Sequence, residues 1–108
     1  MSSFRFLLAV GTAISLVAVA PAARAVDGAA AFKEQCAKCH GDTGKADTAV
    51  GQALKVPSLV GDANVQKMSA QEVAQRIKTN DKHPPTVKEL DDATIEATAE
   101  IAKKLAAE

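Results

Sequence analysis

The stretch Cys36-Ala37-Lys38-Cys39-His40 carries two thiols three residues apart, with an imidazole directly after the second. This is the attachment pattern of a c-type haem. Each thiol adds across a porphyrin vinyl group to form a thioether, and the spacing sets both sulfur atoms along one edge of the macrocycle. The next side chain then directs its imidazole at the iron. The pattern predicts one haem c, bound through Cys36 and Cys39, with His40 as an iron ligand.

Other uses of two cysteines and a histidine explain less of the sequence. A zinc site built from Cys36, Cys39, His40 and His83 is disfavoured, because adjacent side chains cannot easily both reach one tetrahedral ion. A thioredoxin-like dithiol needs a strand before its helix, and no strand pattern precedes this one. A structural disulfide is compatible with export, but it leaves His40 unexplained.

The N-terminal residues 1–25 are predicted to form a cleaved secretory signal. Arg5 precedes an apolar run over residues 6–20, and Ala23-Arg24-Ala25 fits the small-x-small cleavage rule. A transmembrane anchor is the competing interpretation, but a spanning helix needs roughly 20 apolar residues and this run is shorter. We therefore expect residues 26–108 to form the mature domain, located in the periplasm without stable membrane insertion.

The charge of the chain does not favour nucleic acid as a partner. The sequence has 13 basic and 13 acidic residues, and loss of the predicted signal removes Arg5 and Arg24, leaving a slightly acidic domain. No basic stripe with interleaved aromatic residues is present. Four lysines close to the haem motif form either a solvated face or a docking rim for an acidic redox partner. They are Lys33, Lys38, Lys45 and Lys55.

The predicted mature domain has a thin core and helical periodicity. Phe32 is its single aromatic residue and alanine is frequent, so a small domain of this composition needs a cofactor to complete its interior. Helices are predicted over residues 28–38 with Asp27 as the N-cap, from the capping-box residue Ser69 to about Thr79, and from the capping residue Asp91 to about residue 105. A loop with a short helix near residues 52–55 fills the interval 41–59. No stretch has strand alternation, so the class is all-α.

Over essentially the whole mature domain the sequence resembles the small class I c-type cytochromes. The matching segments are FKEQCAKCHG (32–41), VPSLVG (56–61), EVAQRIK (72–78) and Pro84-Pro85, followed by the last helix. The resemblance implies a class I cytochrome c fold, with the first and last helices crossing beside the haem. It also implies that the carbonyl of Pro57 orients His40 and raises its basicity.

The sixth iron ligand departs from that family's pattern. The usual ligand is a methionine shortly before the last helix, but this chain has Asp81-Lys82-His83-Pro84-Pro85 there. We expect His83 to bind the iron, giving bis-histidine coordination and a lower potential than His/Met cytochromes. Two alternatives stay open: Met68 is the ligand, although it is also placed to staple the second helix, or the sixth position is open.

Six-coordinate haem indicates a one-electron carrier rather than an enzyme. With two protein ligands the iron offers no position to a substrate, and its function is to exchange electrons with other redox proteins. We expect a monomer. The alternative is a haem protein with an open or displaceable sixth site that binds or senses a small molecule, or acts as a weak peroxidase. An electron-entry subunit of a larger complex is a third interpretation.

Overall fold

The structure, a computed structural model, describes residues 11–15 and 26–108 of the chain. These residues contain seven α-helices and no β-strand, which confirms the all-α class. The predicted signal, residues 1–25, lies outside the described residues except for 11–15, which have no regular secondary structure. The helices are α1 (Gly28–Gln35), α2 (Ala37–His40), α3 (Ala49–Ala53), α4 (Ala63–Lys67), α5 (Ala70–Thr79), α6 (Pro85–Lys88) and α7 (Asp92–Ala106).

The first predicted helix is divided at Cys36 into α1 and α2. Asp27 caps α1 as expected, since its Oδ1 accepts a hydrogen bond from the amide of Ala30 at 3.1 Å. The φ of Cys36, −115°, then departs from the regular helical value, although the residue stays in the right-handed region. The amides of Cys39 and His40 both donate to the carbonyl of Cys36, at 3.2 and 3.0 Å. The haem motif therefore forms a separate, tighter turn instead of continuing α1.

The centre of the fold is the packing of α5 against α7. Both helices begin at the predicted caps: the Ser69 hydroxyl accepts from the amide of Glu72, and the Asp91 carboxylate accepts from the amide of Thr94, each at 3.1 Å. Their apolar faces meet in one buried cluster. The cluster consists of Val73, Ala74, Ile95, Ala99 and Ala102.

The first and last helices cross at very short range. A Cβ atom on Gly28 would lie 2.7 Å from the carbonyl oxygen of Ala97, so only glycine fits where α1 meets α7. The far end of α7 is tied to the middle of the chain. There the carbonyl of Ala106 accepts hydrogen bonds from the Gln66 side chain at 2.6 Å and from the Gly61 amide at 3.1 Å. The last helix thus anchors both the first helix and the intervening segment.

Three short helices differ from the sequence prediction. The helix expected at residues 52–55 is α3, and it begins earlier because Thr48 caps it by accepting from the amide of Gly51 at 2.9 Å. α4 and α6 were not predicted. α5 ends at Thr79, before the proline pair, and Pro85 occupies the first turn of α6, where proline is tolerated because that amide needs no partner. None of the helices in the described part of the chain is long and apolar enough to cross a membrane.

Candidate haem site

A large cavity of about 1030 Å³ opens between α1, α2, α5 and α7. Ligand pockets commonly measure roughly 300–1,000 Å³, so this cavity can hold a large cofactor. Phe32, Val73 and Ala102 supply apolar wall from three different helices. The five residues predicted to bind haem all line the cavity, and so does Met68. These five are Cys36, Cys39, His40, Pro57 and His83.

The two cysteines lie at one edge of this cavity as free, half-buried thiols. Burial, with a smaller contribution from Cys39, raises the pKa of Cys36 to about 11. The Cys36 thiol is therefore protonated at neutral pH, the form whose S–H adds across a vinyl group. Both cysteines and His40 belong to the α2 turn, so the geometry of that turn fixes the three groups relative to one another.

The backbone of the haem motif is held by contacts that the sequence analysis missed. The Thr48 hydroxyl donates to the carbonyl of Lys38 at 2.7 Å, and the amide of Ala46 donates to the carbonyl of His40 at 2.7 Å. Gly51 packs against the same turn, because a Cβ there would lie 2.2 Å from the carbonyl oxygen of Cys39. The helix-capping preference of Thr48 was the one sequence signal that could have identified this support.

His40 is a half-buried imidazole beside Phe32, with ring centres 6.4 Å apart. Burial, and to a lesser degree His83, lowers its pKa. The ring is therefore neutral at pH 7, which is the form that binds a metal. His40 Nδ1 is buried and has no hydrogen-bond partner among the described residues. The hydrogen bond expected from His40 to the Pro57 carbonyl is therefore not formed in this structure, although Pro57 lines the same cavity.

His83 faces the cavity from the turn between α5 and α6. Its Nδ1 lies 2.8 Å from the carbonyl oxygen of Ile77. A carbonyl oxygen only accepts, so Nδ1 must carry the proton and donate it. In the neutral form of the ring, Nε2 then carries the free lone pair that iron ligation requires. Sequence reasoning could not identify the Ile77 carbonyl, because a backbone acceptor has no residue signature.

The two histidine rings lie close together in the cavity. Their ring centres are 6.2 Å apart and the ring planes are inclined by 68°. With metal–nitrogen bonds of roughly 2 Å, two imidazoles at this separation are close enough that both could hold one metal ion. The residues present thus fit a metal-centred cofactor between His40 and His83.

Met68 has a different environment from the two histidines. It ends α4 and packs against the buried cluster of α5 and α7, as the predicted staple onto Val73 requires. It also lines the cavity, so its position alone does not remove it from consideration. Among residues 11–15 and 26–108, no group of three or more histidine, cysteine or carboxylate side chains is arranged to hold a metal ion. The described residues therefore contain no group that matches the zinc-site alternative.

Charged side chains around the cavity are mostly cationic. Lys38, Lys55 and Lys82 contribute ammonium groups and Arg76 a guanidinium, and all four are exposed residues. The carboxylates on the same wall are fewer. One of them, Asp62, accepts hydrogen bonds from the amides that begin α4. A cationic rim complements the negative carboxylates of a porphyrin. The other two lysines near the haem motif, Lys33 and Lys45, are exposed but do not line the cavity.

Comparison with known proteins agrees with this site. Residues 23–100 match the model of a c-type cytochrome family described as cytochrome c oxidase, cbb3-type, subunit III. The chain belongs to this cytochrome family. Membership implies haem c bound covalently, and the Cys36–Cys39 pair is consistent with the CxxCH attachment site. Proteins of this cytochrome family are haem electron carriers and are commonly exported.

One solved structure supports the fold independently. The KustC0563 c-type cytochrome superposes with a TM-score of 0.57 at 22% sequence identity, over 74% of this chain and 98% of that chain. The class I cytochrome c fold is thereby confirmed for this small cytochrome. A search of curated proteins found no match.

Proposed function

We propose that this cytochrome is an exported monohaem carrier of single electrons, with haem bound through Cys36 and Cys39 and with His40 and His83 as axial ligands. One observation carries the proposal: the two imidazoles line the same cavity with ring centres 6.2 Å apart. When bound, haem supplies an iron that accepts and releases one electron at a time. The chain fixes the ligands on either side of it.

The hydrogen bond from His83 Nδ1 to the Ile77 carbonyl supports this ligand assignment. Such a bond fixes the orientation of a ligating ring and raises the basicity of its other nitrogen. For His40, the resemblance to class I cytochromes gives the same role to the carbonyl of Pro57. That hydrogen bond stays a prediction, and the buried, unpartnered Nδ1 of His40 supports it, because a buried polar atom normally has a partner.

With both axial positions filled by side chains, no coordination position is left for a substrate, and we propose that the protein is not an enzyme. Its partners are then other redox proteins. Lys38 and Lys55 stand exposed at the cavity rim, where they favour encounter with an acidic partner surface. The protein is proposed to act as a monomer, which sedimentation of the purified holoprotein would test.

Export is the part of the proposal that rests on sequence alone. Residues 1–25 have the features of a signal, and the mature chain is proposed to begin at Val26 in the periplasm. The intact mass of the protein purified from a periplasmic fraction tests this. A mass equal to residues 26–108 plus one haem is expected, and retention of the first 25 residues would contradict cleavage.

The ligand assignment predicts that His83→Met raises the midpoint potential. Methionine ligation favours reduced iron relative to imidazole ligation, so a spectroscopic redox titration of the two holoproteins should show a more positive value for the variant. Met68→Leu is the matched control, and it should leave the potential unchanged. A potential that changes in Met68→Leu but not in His83→Met would assign the sixth ligand to Met68.

A second candidate function is binding of a small molecule at a displaceable sixth site. It is favoured by the exposure of the residues on both sides of His83, including Asp81 and Pro84. Carbon monoxide added to the reduced holoprotein distinguishes the two functions. The carrier is expected to react slowly, because His83 must first leave the iron. A reaction as fast as that of five-coordinate haem would favour the second candidate.

A further inference from the structure

The turn that carries His83 is organised by one residue, Asn80, through its side chain and its backbone. Its Oδ1 accepts a hydrogen bond from the amide of Lys82 at 2.9 Å, and its carbonyl accepts from the amide of His83 at 3.1 Å. The amide of Asn80 also donates to the carbonyl of Arg76 at 3.0 Å, closing the end of α5. One residue thus ends the helix and starts the turn that leads to the proposed ligand.

The other end of the turn is held separately. Pro84 has an extended backbone, and its carbonyl accepts from the amides of Val87 and Lys88 at 3.0 and 3.2 Å. Val87 is buried and contacts the cavity, which fixes α6 against the rest of the domain. The segment between the end of α5 and the start of α6 is therefore short. Its shape depends on the contacts of Asn80 and on the His83–Ile77 hydrogen bond.

We infer that Asn80 is a positioning residue for the sixth iron ligand. The side-chain oxygen of Asn80 keeps the turn closed, so that His83 stays within reach of both the Ile77 carbonyl and the iron. Without this oxygen, the Lys82 amide has only solvent as a partner and the turn opens more often. The consequence is a faster release of His83, so Asn80 sets how readily an external ligand replaces it. This inference rests on the proposed ligation by His83.

The test measures how fast carbon monoxide replaces His83 in the reduced holoprotein, at saturating gas and at a temperature where the wild type reacts measurably. Asn80→Ala should react about five-fold faster, because the loss of one hydrogen bond shifts the equilibrium between the closed and the open turn by about that factor. Asn80→Asp keeps an acceptor oxygen and should return to the wild-type rate. Asn80→Ser, with a shorter acceptor, should fall between the two. The absorption spectra before addition of carbon monoxide should be identical in all variants.

The control is Gln75→Ala, which changes an exposed side chain of α5 that does not line the cavity. Its rate should equal that of the wild type. His83→Ala tests the proposed ligation by His83 separately from the positioning role of Asn80. If His83→Ala reacts at the wild-type rate, ligation by His83 is wrong and the inference fails with it. If His83→Ala is much faster while Asn80→Ala matches Gln75→Ala, ligation stands and the positioning role of Asn80 is refuted.

Discussion

Gly51 lies where α3 packs directly onto the haem motif. A Cβ atom there would meet the carbonyl oxygens of Cys39 and Ala46 at 2.2 and 2.9 Å, and neither is the end of a flexible side chain. Gly51→Ala should therefore destabilise the holoprotein by about 2 kcal/mol or more, as overpacking in a tight site does. Denaturant unfolding followed by haem absorbance measures the change. Gln52→Ala, which changes an exposed neighbour in α3, is the control. Equal unfolding midpoints for Gly51→Ala and the wild type would contradict the close contact at Gly51.

Individual residues differ in how far the sequence could identify them. Cys36, Cys39 and His40 become candidates through spacing alone, because covalent haem attachment demands that spacing. His83 became a candidate because a histidine stands where a methionine is usual. Thr48 and the carbonyl of Ile77 had no comparable signal. Their contacts are made to or by backbone atoms, and the fold alone brings those atoms together.

The starts of α1, α5 and α7 were predicted from the side chains that cap them. Asp27, Ser69 and Asp91 each accept a backbone amide at the expected position. The short helices α4 and α6 were missed because a single turn is not stable by its own propensity and forms only when tertiary contacts support it. Asp62, which caps α4 through two amides, was the available but weak signal. The break at Cys36 had none, since the segment retains helical periodicity across it.

The cap of α7 gives a pH-dependent prediction. Hydrogen bonds from Thr94, through its side chain and its amide, lower the pKa of Asp91 from 3.8. A lowered folded-state pKa gives stability that is fully present above the unfolded value and is lost as the pH falls through the folded value. An asparagine at this position would cap without titrating. In thermal unfolding at pH 7, Asp91→Asn should therefore be less stable than the wild type, and the gap should shrink below pH 3.8.

The control for this prediction is Glu96→Gln, which removes an exposed carboxylate of the same helix that caps no helix end. The difference in unfolding midpoint between Glu96→Gln and the wild type should stay constant across the same pH range. A gap between Asp91→Asn and wild type that stays constant from pH 7 to pH 3 would show that the Asp91 carboxylate contributes nothing through its charge.

At the scale of the whole molecule, composition predicted an incomplete interior. The buried apolar residues of the described chain are mostly alanines, and a cavity of about 1030 Å³ lies beside them. Alanine buries little apolar surface, so the protein alone gains little hydrophobic stabilisation to offset its conformational entropy. A large flat apolar group completes the core.

Loss of haem should therefore unfold most of the domain. The double variant Cys36→Ser, Cys39→Ser, isolated without haem, is expected to show a much weaker far-ultraviolet helical signal than the holoprotein and no cooperative thermal transition. The thiol-to-hydroxyl changes are nearly isosteric and the cysteines are only half-buried, so the substitutions themselves cost little. A haem-free protein with the helical signal and melting transition of the holoprotein would contradict the dependence of the fold on its cofactor.

The electron paramagnetic resonance spectrum of the oxidised holoprotein, recorded with its absorption spectrum, tests bis-histidine ligation most directly. Ligation by His40 and His83 predicts low-spin ferric iron with two nitrogenous axial ligands and no far-red band of sulfur-to-iron ligation. His83→Ala should change both spectra. A high-spin ferric signal in the wild type, a sulfur-ligation band, or spectra that His83→Ala leaves unchanged would contradict it.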